Sequence, residues 1–379
     1  MRRVYLMIAA VLAIGLTTTR APAADVPAVP KNGAKIAAGI EIGHRGCRVA
    51  VVQVDPTPWR SNRIQVRFEK TVLTPLGLGL ADTGKLAADD IAKTVAEVTR
   101  MCELVRTEYG VPNAQIHIAT AGSLDGAIGL DDLRAAVTKA TKRPVVAFTS
   151  AREVLYGMKQ IMPNDYMKGA WYADLGSGTV KLGAYVAEGP TSLSEFRTDL
   201  LPGLAQVRER ILKRATEQKL SFADAAKLEG DALTAEFRKM ANANPALANR
   251  RDVILTGGCV WGLVTLTKPE DATAAYVAIT PNDIARFGEM LRAADGRFPA
   301  PDLTGVKWED ARKAAERDAK QVADRFTVEQ LLAGAELLRA MSEAFQFKGK
   351  DVYFPRQGGS AWIATFAAEQ LTGVPVTLK

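Results

Sequence analysis

The pattern of hydrophobic and polar residues predicts that the folded part of the chain begins with three strands. Residues 38–55 contain two short apolar runs about a glycine turn, and residues 64–73 alternate apolar and polar positions. Alternation with a period of two is typical of a half-buried strand. Three consecutive strands of this kind indicate an antiparallel meander.

A long amphipathic helix follows the meander. Between Leu86 and Tyr109 the apolar residues recur at alternating spacings of four and three, and Gly110 and Pro112 mark the end of the helix. The next predicted elements are a strand, a helix, a strand and a helix, at residues 115–120, 130–141, 145–148 and 150–162. Strands interspersed with helices indicate an α/β protein.

The same order of elements restarts after residues 163–165. The predicted elements are strands at 171–175, 180–186 and near 193–200, and a helix after Gly203. A constant offset of 133 positions aligns the two hairpins, so that Glu41 corresponds to Asp174 and Arg48 to Lys181. Internal repetition of this kind indicates duplication.

The second half is longer than the first. A strand at 252–255 ends in the turn Thr256-Gly257-Gly258, and an inserted segment at about 268–326 follows. The insertion contains predicted helices at 280–294 and 308–326. In the helix at 308–326, alanine and scattered charge indicate a surface helix and favour a packing role over recognition. The remaining elements are a helix at 327–347, a strand at 351–354, and a last helix opened by Arg356-Gln357-Gly358-Gly359.

Length and composition agree with two domains. A chain of 379 residues that is 47% hydrophobic can bury a large core. The predicted units are a signal peptide at 1–23, a flexible leader at 24–38, a first domain at 39–163, and a second domain at 164–379 with the helical insertion.

The first 23 residues have the features of a secretory signal peptide. Arg2 and Arg3 precede the apolar run 4–16, and Ala21-Pro22-Ala23 places small residues at the usual cleavage positions. An uncleaved anchor is the alternative, but the run is shorter than the roughly 20 residues that span a bilayer. We therefore expect cleavage before Ala24 and a periplasmic or secreted protein without a stable membrane anchor.

Charge and cysteine content argue against a nucleic-acid-binding protein and against a disulfide framework. The formal charge of +7 is only mildly basic, and no basic run marks a nucleic-acid-binding arm, so no nucleic acid is predicted as a partner. The three cysteines form no CxxC pair, and buried free thiols are therefore expected.

The sequence contains only two histidines, His44 and His117. This excludes most metal-hydrolase mechanisms and most catalytic triads that depend on histidine. The motifs HExxH, GxxxxGK[ST] and GxSxG are absent from the sequence. Chemistry must then depend on carboxylates, hydroxyls, backbone amides and arginine. His117 lies in an apolar strand and is predicted to be a satisfied core histidine, whereas His44 lies in the first glycine turn.

The segment 173–179 combines an acidic residue at the end of a buried strand with a tight turn of small residues. Glycines in such a turn let backbone N–H groups converge and let a phosphate approach. Ser177 and Thr179 add hydroxyl donors, and Asp174 is a candidate ligand for a hydrated Mg²⁺. The alternative is an ordinary hairpin, but the two related turns and Thr256-Gly257-Gly258 together favour phosphate or nucleotide contact.

A series of motifs resembles the exopolyphosphatase and guanosine pentaphosphate phosphohydrolase (Ppx/GppA) family. The motifs are Ile40-Glu41-Ile42-Gly43 with Arg48, Ala119-Thr120-Ala121, Ala151-Arg152 with Tyr156-Gly157, Asp174-Leu175-Gly176-Ser177-Gly178-Thr179, Leu201-Pro202-Gly203, Ala333-Gly334-Ala335 and Arg356-Gln357-Gly358. Their order along most of the chain carries the resemblance.

The resemblance implies two duplicated ribonuclease H-like domains of the actin-like ATPase type, each with a mixed sheet flanked by helices, and a cleft between them. It further implies that the hairpins hold phosphates and that water attacks a terminal phosphoanhydride, with Mg²⁺ and a carboxylate base. The implied substrate is polyphosphate or a nucleotide polyphosphate.

The chain departs from the family pattern at several positions of this site. Glu41 replaces an aspartate, His44-Arg45-Gly46 replaces a small polar turn, and Lys181 replaces a glutamate. Thr149-Ser150 stands where the family has a pair of glutamates that includes the usual base. Glu153 lies about one helical turn further on, so it is a candidate base unless it faces solvent.

The candidate site therefore has three parts. Glu153 and Glu41 are candidate catalytic bases, and Asp174 is the candidate metal ligand. Arg48 and Arg356 are candidate clamps, because guanidinium binds phosphate bidentately, or else ordinary ion-paired arginines. The candidate phosphate-binding residues are Gly43, His44, Arg45, Gly46, Arg48, Gly176, Ser177, Gly178, Thr179, Gly257, Gly258 and Arg356.

Two interpretations of function remain open from the sequence. The first is an exported phosphohydrolase that releases terminal phosphate from polyphosphate or a nucleotide polyphosphate, with Mg²⁺ as cofactor. The alternative is a catalytically inactive relative that binds a phosphorylated polyanion or acts as a structural partner. The sequence leaves assembly as a homodimer open.

Overall fold

The computed structural model describes residues 35–55, 64–74, 76–77, 79–162, 166, 169–184, 186–187, 193–194, 201–294 and 296–373. The predicted signal peptide, most of the predicted leader and the predicted boundary at 163–165 lie outside these residues. No helix in the described ranges is both long enough and apolar enough to cross a membrane.

The first sheet is the predicted meander extended by two parallel strands. Its strands are β1 (Lys35–Ile42), β2 (Gly46–Val54), β3 (Ile64–Leu73), β4 (Ile116–Thr120) and β5 (Val145–Ala147). They are ordered β3-β2-β1-β4-β5, with β1, β2 and β3 antiparallel and β1, β4 and β5 parallel. The buried valines of β2 suit this position, because β-branched side chains pack well on a pleated surface.

The second sheet repeats the topology of the first. Its strands are β6 (Ala170–Leu175), β7 (Thr179–Ala184), β10 (Leu201–Pro202), β11 (Asp252–Thr256), β12 (Tyr276–Ala278) and β13 (Asp351–Pro355), and a separate hairpin pairs β8 (Val186–Ala187) with β9 (Leu193–Ser194). The order is β10-β7-β6-β11-β13-β12, in which β6, β11 and β13 are parallel. The predicted duplication is therefore confirmed, with β12 as an added antiparallel edge strand.

Helices flank both sheets. They are α1 (Leu80–Thr83), α2 (Ala88–Tyr109), α3 (Leu130–Thr141), α4 (Ser150–Ile161), α5 (Leu204–Gln218), α6 (Phe222–Ala243), α7 (Pro245–Ala248), α8 (Gly258–Thr267), α9 (Pro281–Ala293), α10 (Glu309–Arg325), α11 (Val328–Ala344) and α12 (Ala361–Thr372). Side-chain caps fix several of their starts. For example, Thr327 and Gln330 form a capping box at the start of α11.

The last helix returns to the first sheet. Ile363, Phe366 and Ala367 of α12 are buried with Ala37 of β1 and Val52 of β2 in one hydrophobic cluster. Helix α12 also packs along α4, so both helices stand between the two sheets. This arrangement brings residues from distant parts of the chain to one interdomain cleft.

Three parts of the structure differ from the sequence predictions or add to them. The third strand of the second sheet is the two-residue β10, not a strand near 193–200; residues 195–200 lie outside the described part. Helix α6 has no counterpart among the predicted elements, although its buried residues, which include Leu233, Phe237 and Met240, recur at helical spacing. Cys47, Cys102 and Cys259 are free; Cys102 is only half-buried.

Candidate functional site

The turns of the two hairpins face each other across a cleft of about 680 Å³. The first turn connects β1 to β2 and contains His44; the second connects β6 to β7 and contains Gly178. A Cβ atom on Gly178 would lie 3.1 Å from atoms of the His44 ring, so glycine permits this close approach of the two turns. The duplicated hairpins thus form one site, not two.

All of the sequence-predicted site residues line this cleft. They are Glu41, Gly43, His44, Arg45, Gly46, Arg48, Glu153, Asp174, Gly176, Ser177, Gly178, Thr179, Gly257, Gly258 and Arg356. Residues of the insertion line it as well. The packing role predicted for the helix at 308–326 is therefore incomplete, because Arg317, Asp318, Gln321 and Arg325 of α10 also reach the cleft.

Each hairpin carries an acidic residue directly opposite a basic one. Glu41 pairs with Arg48 across β1 and β2, and Asp174 pairs with Lys181 across β6 and β7. The distance from Arg48 Nη1 to Glu41 Oε2 is 3.6 Å, and the distance from Lys181 Nζ to Asp174 Oδ2 is also 3.6 Å. The equivalence of the two hairpins therefore extends to their charges.

Glu153 reaches this charge cluster from α4. Thr149, at one of the positions where the family has its glutamate pair, caps the helix by accepting a hydrogen bond from the Arg152 N–H at 3.3 Å. One turn later Glu153 is buried, with 3% of its surface exposed. Its Oε2 accepts a hydrogen bond from the Lys181 ammonium and its Oε1 accepts one from the Gly122 N–H. The solvent-facing alternative for Glu153 is therefore wrong.

Burial shifts the proton affinities of these groups. Burial raises the pKa of Glu153 to about 7, although the Lys181 ammonium opposes the shift. Burial also raises the pKa of Glu41, opposed by Arg48. For Lys181, burial alone would lower the pKa, but the carboxylates of Glu153 and Asp174 outweigh it and raise the pKa above its ordinary value. Lys181 is therefore a cation at neutral pH.

The pKa of Glu153 predicts a pH-dependent stability. Between about pH 4.5 and 7 the folded protein holds a proton on Glu153 that the unfolded chain has released, so raising the pH through this window removes stability. Relative to Glu153→Gln, the native protein should lose on the order of 2 kcal/mol of unfolding free energy across the window. Urea unfolding at several pH values measures this. A pH-independent difference between the two proteins would contradict the assignment.

Several polar atoms that line the cleft lack protein partners. Ser177 Oγ, Thr179 Oγ1, His44 Nδ1 and Glu41 Oε2 are buried atoms without a hydrogen-bond partner among the described residues. Buried polar groups are usually paired, so such atoms call for an explanation. Two hydroxyl donors on the second turn are suited to an oxygen-rich anion.

The surroundings of Asp174 do not fit a magnesium ion. Mg²⁺ requires oxygen ligands in nearly octahedral geometry. Here Asp174 faces the ammonium of Lys181, and Glu41 pairs with Arg48. We therefore assign no step to a metal ion in this site.

Arginines and aromatic rings close one end of the cleft. The Arg45 guanidinium lies 4.9 Å from the centroid of the Phe326 ring and donates a hydrogen bond of 2.8 Å to the Arg325 carbonyl. The Arg325 guanidinium lies 5.1 Å from the centroid of the Trp261 ring. Sequence reasoning did not identify these three residues, because no local motif marks them. Trp261 lies in α8, directly after the Thr256-Gly257-Gly258 turn, and Arg325 and Phe326 reach the cleft through the placement of the insertion.

Arg356 lines the cleft but is bound within the protein. Its Nη1 donates to Asp318 Oδ2 at 2.9 Å, and its Nε and Nη2 donate to the Asp271 carbonyl at 3.1 and 2.8 Å. The ion-paired alternative therefore describes Arg356 better than the phosphate clamp. His117 is half-buried and lies edge-on to Phe366, and its Nε2 has no hydrogen-bond partner within the described ranges.

Solved structures share this fold. The crystal structure of the Aquifex aeolicus member of the Ppx/GppA family has a TM-score of 0.59 and 16% identity, over 90% of this chain and 99% of that one. An exopolyphosphatase from Cytophaga hutchinsonii has a TM-score of 0.60 and 12% identity, over 91% and 100%. An exopolyphosphatase-like protein has a TM-score of 0.59 and 14% identity, over 87% and 97%.

These likenesses establish the fold and nothing further, because the sequence identities are low. The fold is the duplicated actin-like ATPase fold that the motif resemblance implied. No protein-family model matches the sequence, and no curated protein is significantly similar to it.

Proposed function

We propose that the interdomain cleft binds the phosphate groups of polyphosphate or a similar phosphorylated polyanion. The observation that carries this proposal is the convergence of two glycine-rich turns on one cleft that also holds Arg45 and Arg48. Backbone N–H groups in such turns and guanidinium groups are the common protein donors to phosphate oxygens. The unpartnered hydroxyls of Ser177 and Thr179 add two further donors.

The contacts of the two candidate bases, Glu41 and Glu153, support binding without turnover better than hydrolysis. Glu41 is ion-paired with Arg48, and both oxygens of Glu153 already accept hydrogen bonds. A general base must present a free lone pair to the water whose proton it takes. Each oxygen of Glu153 already accepts one hydrogen bond, and Glu41 Oε2, which has no hydrogen-bond partner among the described residues, lies 3.6 Å from the Arg48 guanidinium, whose charge lowers its basicity.

Hydrolysis is the second candidate function, and one observation favours it. Glu153 lines the cleft, and its pKa of about 7 suits a general base at neutral pH. Water would attack the terminal phosphorus while its proton passes to Glu153; the bond to the bridging oxygen would break, releasing orthophosphate and a shortened chain. The step requires Lys181 to release one oxygen of Glu153.

One experiment separates the two functions. Purified protein is incubated with long-chain polyphosphate, with and without Mg²⁺, and bound polyphosphate and released orthophosphate are measured together. Saturable binding without release supports the binding function. Release that is abolished by Glu153→Gln but retained by Glu103→Gln, an exposed glutamate on α2, supports hydrolysis. Absence of binding and release contradicts both.

Arg48 should contribute measurably to this affinity. Its guanidinium is only partly buried, and it lies beside Glu41, whose charge it offsets. A charge-assisted hydrogen bond contributes about 1.5–3 kcal/mol, so Arg48→Gln should weaken polyphosphate binding about tenfold or more. Calorimetric titration measures the change, with Arg106→Gln on the exposed face of α2 as the control. Equal affinities for the two variants would contradict the role.

We also propose that the protein is exported, on the basis of residues 1–23. An exported binding protein would meet polyphosphate outside the cytoplasm. Expression of the full chain in a bacterium, followed by N-terminal sequencing of the periplasmic fraction, should give a mature chain that begins at Ala24. An uncleaved chain in the cytoplasm would contradict export.

A further inference from the structure

We propose that the Lys181 ammonium acts as a resident cation where a divalent metal would otherwise be needed, so that the cleft binds the phosphate polyanion without Mg²⁺. The inference rests on the proposed function for the identity of the ligand. The inference also predicts that the protein without phosphate does not bind a divalent cation at Lys181, and this prediction can be tested separately.

Lys181 is the centre of the carboxylate cluster. It is 5% exposed, its Nζ donates to Glu153 Oε2, and it lies 3.6 Å from Asp174 Oδ2. Glu41 is near enough to stabilise the charge of Lys181 as well. Carboxylates from both hairpins and from α4 therefore surround a single covalently attached cation.

This position conflicts with a metal ion for two reasons. The first reason is electrostatic: a divalent cation on Asp174 would lie close to the Lys181 ammonium, which is 3.6 Å from Asp174 Oδ2 and cannot leave the site, and the two positive charges would repel each other. The second reason concerns the neighbouring carboxylate: each oxygen of Glu153 already accepts a hydrogen bond, from Lys181 or from Gly122, so Glu153 is held away from a metal ion on Asp174. Mg²⁺ exchanges its tightly held waters only for well-placed oxygen ligands.

Lys181 also neutralises negative charge beside the phosphate, as a metal ion usually does. Three carboxylates, two on the hairpins and one on α4, would repel an incoming polyanion. Lys181 and Arg48 offset two of these three negative charges. The net charge at the floor of the cleft is therefore small, and the anion meets hydrogen-bond donors from both turns. The cleft should then select the uncomplexed polyanion over its magnesium complex, whose oxygens are already bound to metal.

The first test uses the native protein and tripolyphosphate as the probe. After treatment with EDTA, the protein should bind tripolyphosphate at least as tightly as it does in millimolar Mg²⁺. Binding that needs Mg²⁺, or that tightens about tenfold or more with it, would overturn the inference and leave the proposed function standing. If tripolyphosphate does not bind under either condition, the proposed function fails, and the second test decides whether a divalent cation binds at Lys181.

The second test omits phosphate and measures divalent binding directly. Mn²⁺ titrated into the native protein should give no saturable binding and no rise in melting temperature. Lys181→Met removes the cation but keeps the apolar length of the side chain; it should gain Mn²⁺ binding and a melting temperature that rises with Mn²⁺ concentration. Lys213→Met, on the exposed surface of α5, should behave as the native protein does.

The outcomes are separable even if the lysine variant folds poorly. Saturable Mn²⁺ binding by the native protein, lost in Asp174→Asn, would show a working metal site and overturn the inference. A Lys181→Met protein that folds but gains no affinity for Mn²⁺ would also overturn it. If that variant does not fold, absence of Mn²⁺ binding by the native protein supports the inference.

Discussion

Lys181→Met is expected to lower the free energy of unfolding by about 3–5 kcal/mol at neutral pH, because it leaves buried carboxylates without their cation. Lys181 contacts Glu153 and lies 3.6 Å from Asp174, and it is almost fully buried. Chemical denaturation monitored by circular dichroism measures the change.

Two further variants identify the cause of this loss. Lys181→Met combined with Glu153→Gln should be more stable than Lys181→Met alone, because the uncompensated charge is then removed as well. Lys213→Met, at an exposed position that is 3.9 Å from Glu217, should change stability by less than about 1 kcal/mol. A loss of equal size in the two lysine variants would contradict the account of the charge cluster.

Gly257→Ala is expected to destabilise the protein by about 4 kcal/mol, through a backbone clash added to an unfavourable backbone conformation. Gly257 has a φ of +113°, which L side chains rarely adopt. A Cβ atom there would lie 2.3 Å from the Leu175 carbonyl oxygen, in the strand that carries Asp174. Since backbone cannot move aside as a flexible side chain does, β6 and the turn after β11 would have to separate.

Gly110→Ala separates the two contributions. Gly110 also has a positive φ, +64°, but an added Cβ would meet no atom within 4 Å. It should therefore cost only the conformational strain, about 1 kcal/mol. Thermal unfolding of both variants measures the difference. Similar losses for the two would show that the close packing of β6 against the turn after β11 contributes little.

Much of the fold could be predicted from local patterns. The bounds predicted for β3 and α3 match the structure, and the offset of 133 positions identified the duplicated hairpins. Periodicity succeeds for these elements because each has one buried and one exposed face. The two-residue β10 is too short to give a periodic signal, and α6 was not predicted although its buried residues recur at helical spacing.

The sequence predicted the turns of the site but not the contacts between its charged side chains. Glycine-rich turns after strands are visible in the sequence because the turn geometry requires those residues. The contact between Glu153 and Lys181 is not visible, since it joins a helix after the first sheet to a strand of the second. Likewise, the place of Arg325 in the cleft depends on how the insertion packs.

Hydrogen–deuterium exchange of the native protein with and without tripolyphosphate tests the central claim most directly. If phosphate binds between the hairpins, backbone amides in both turns, residues 43–46 and 176–179, should gain protection together, and Arg48→Gln should reduce the gain. Saturable binding with protection elsewhere, or protection of one turn alone, would contradict a phosphate site formed by the paired hairpins.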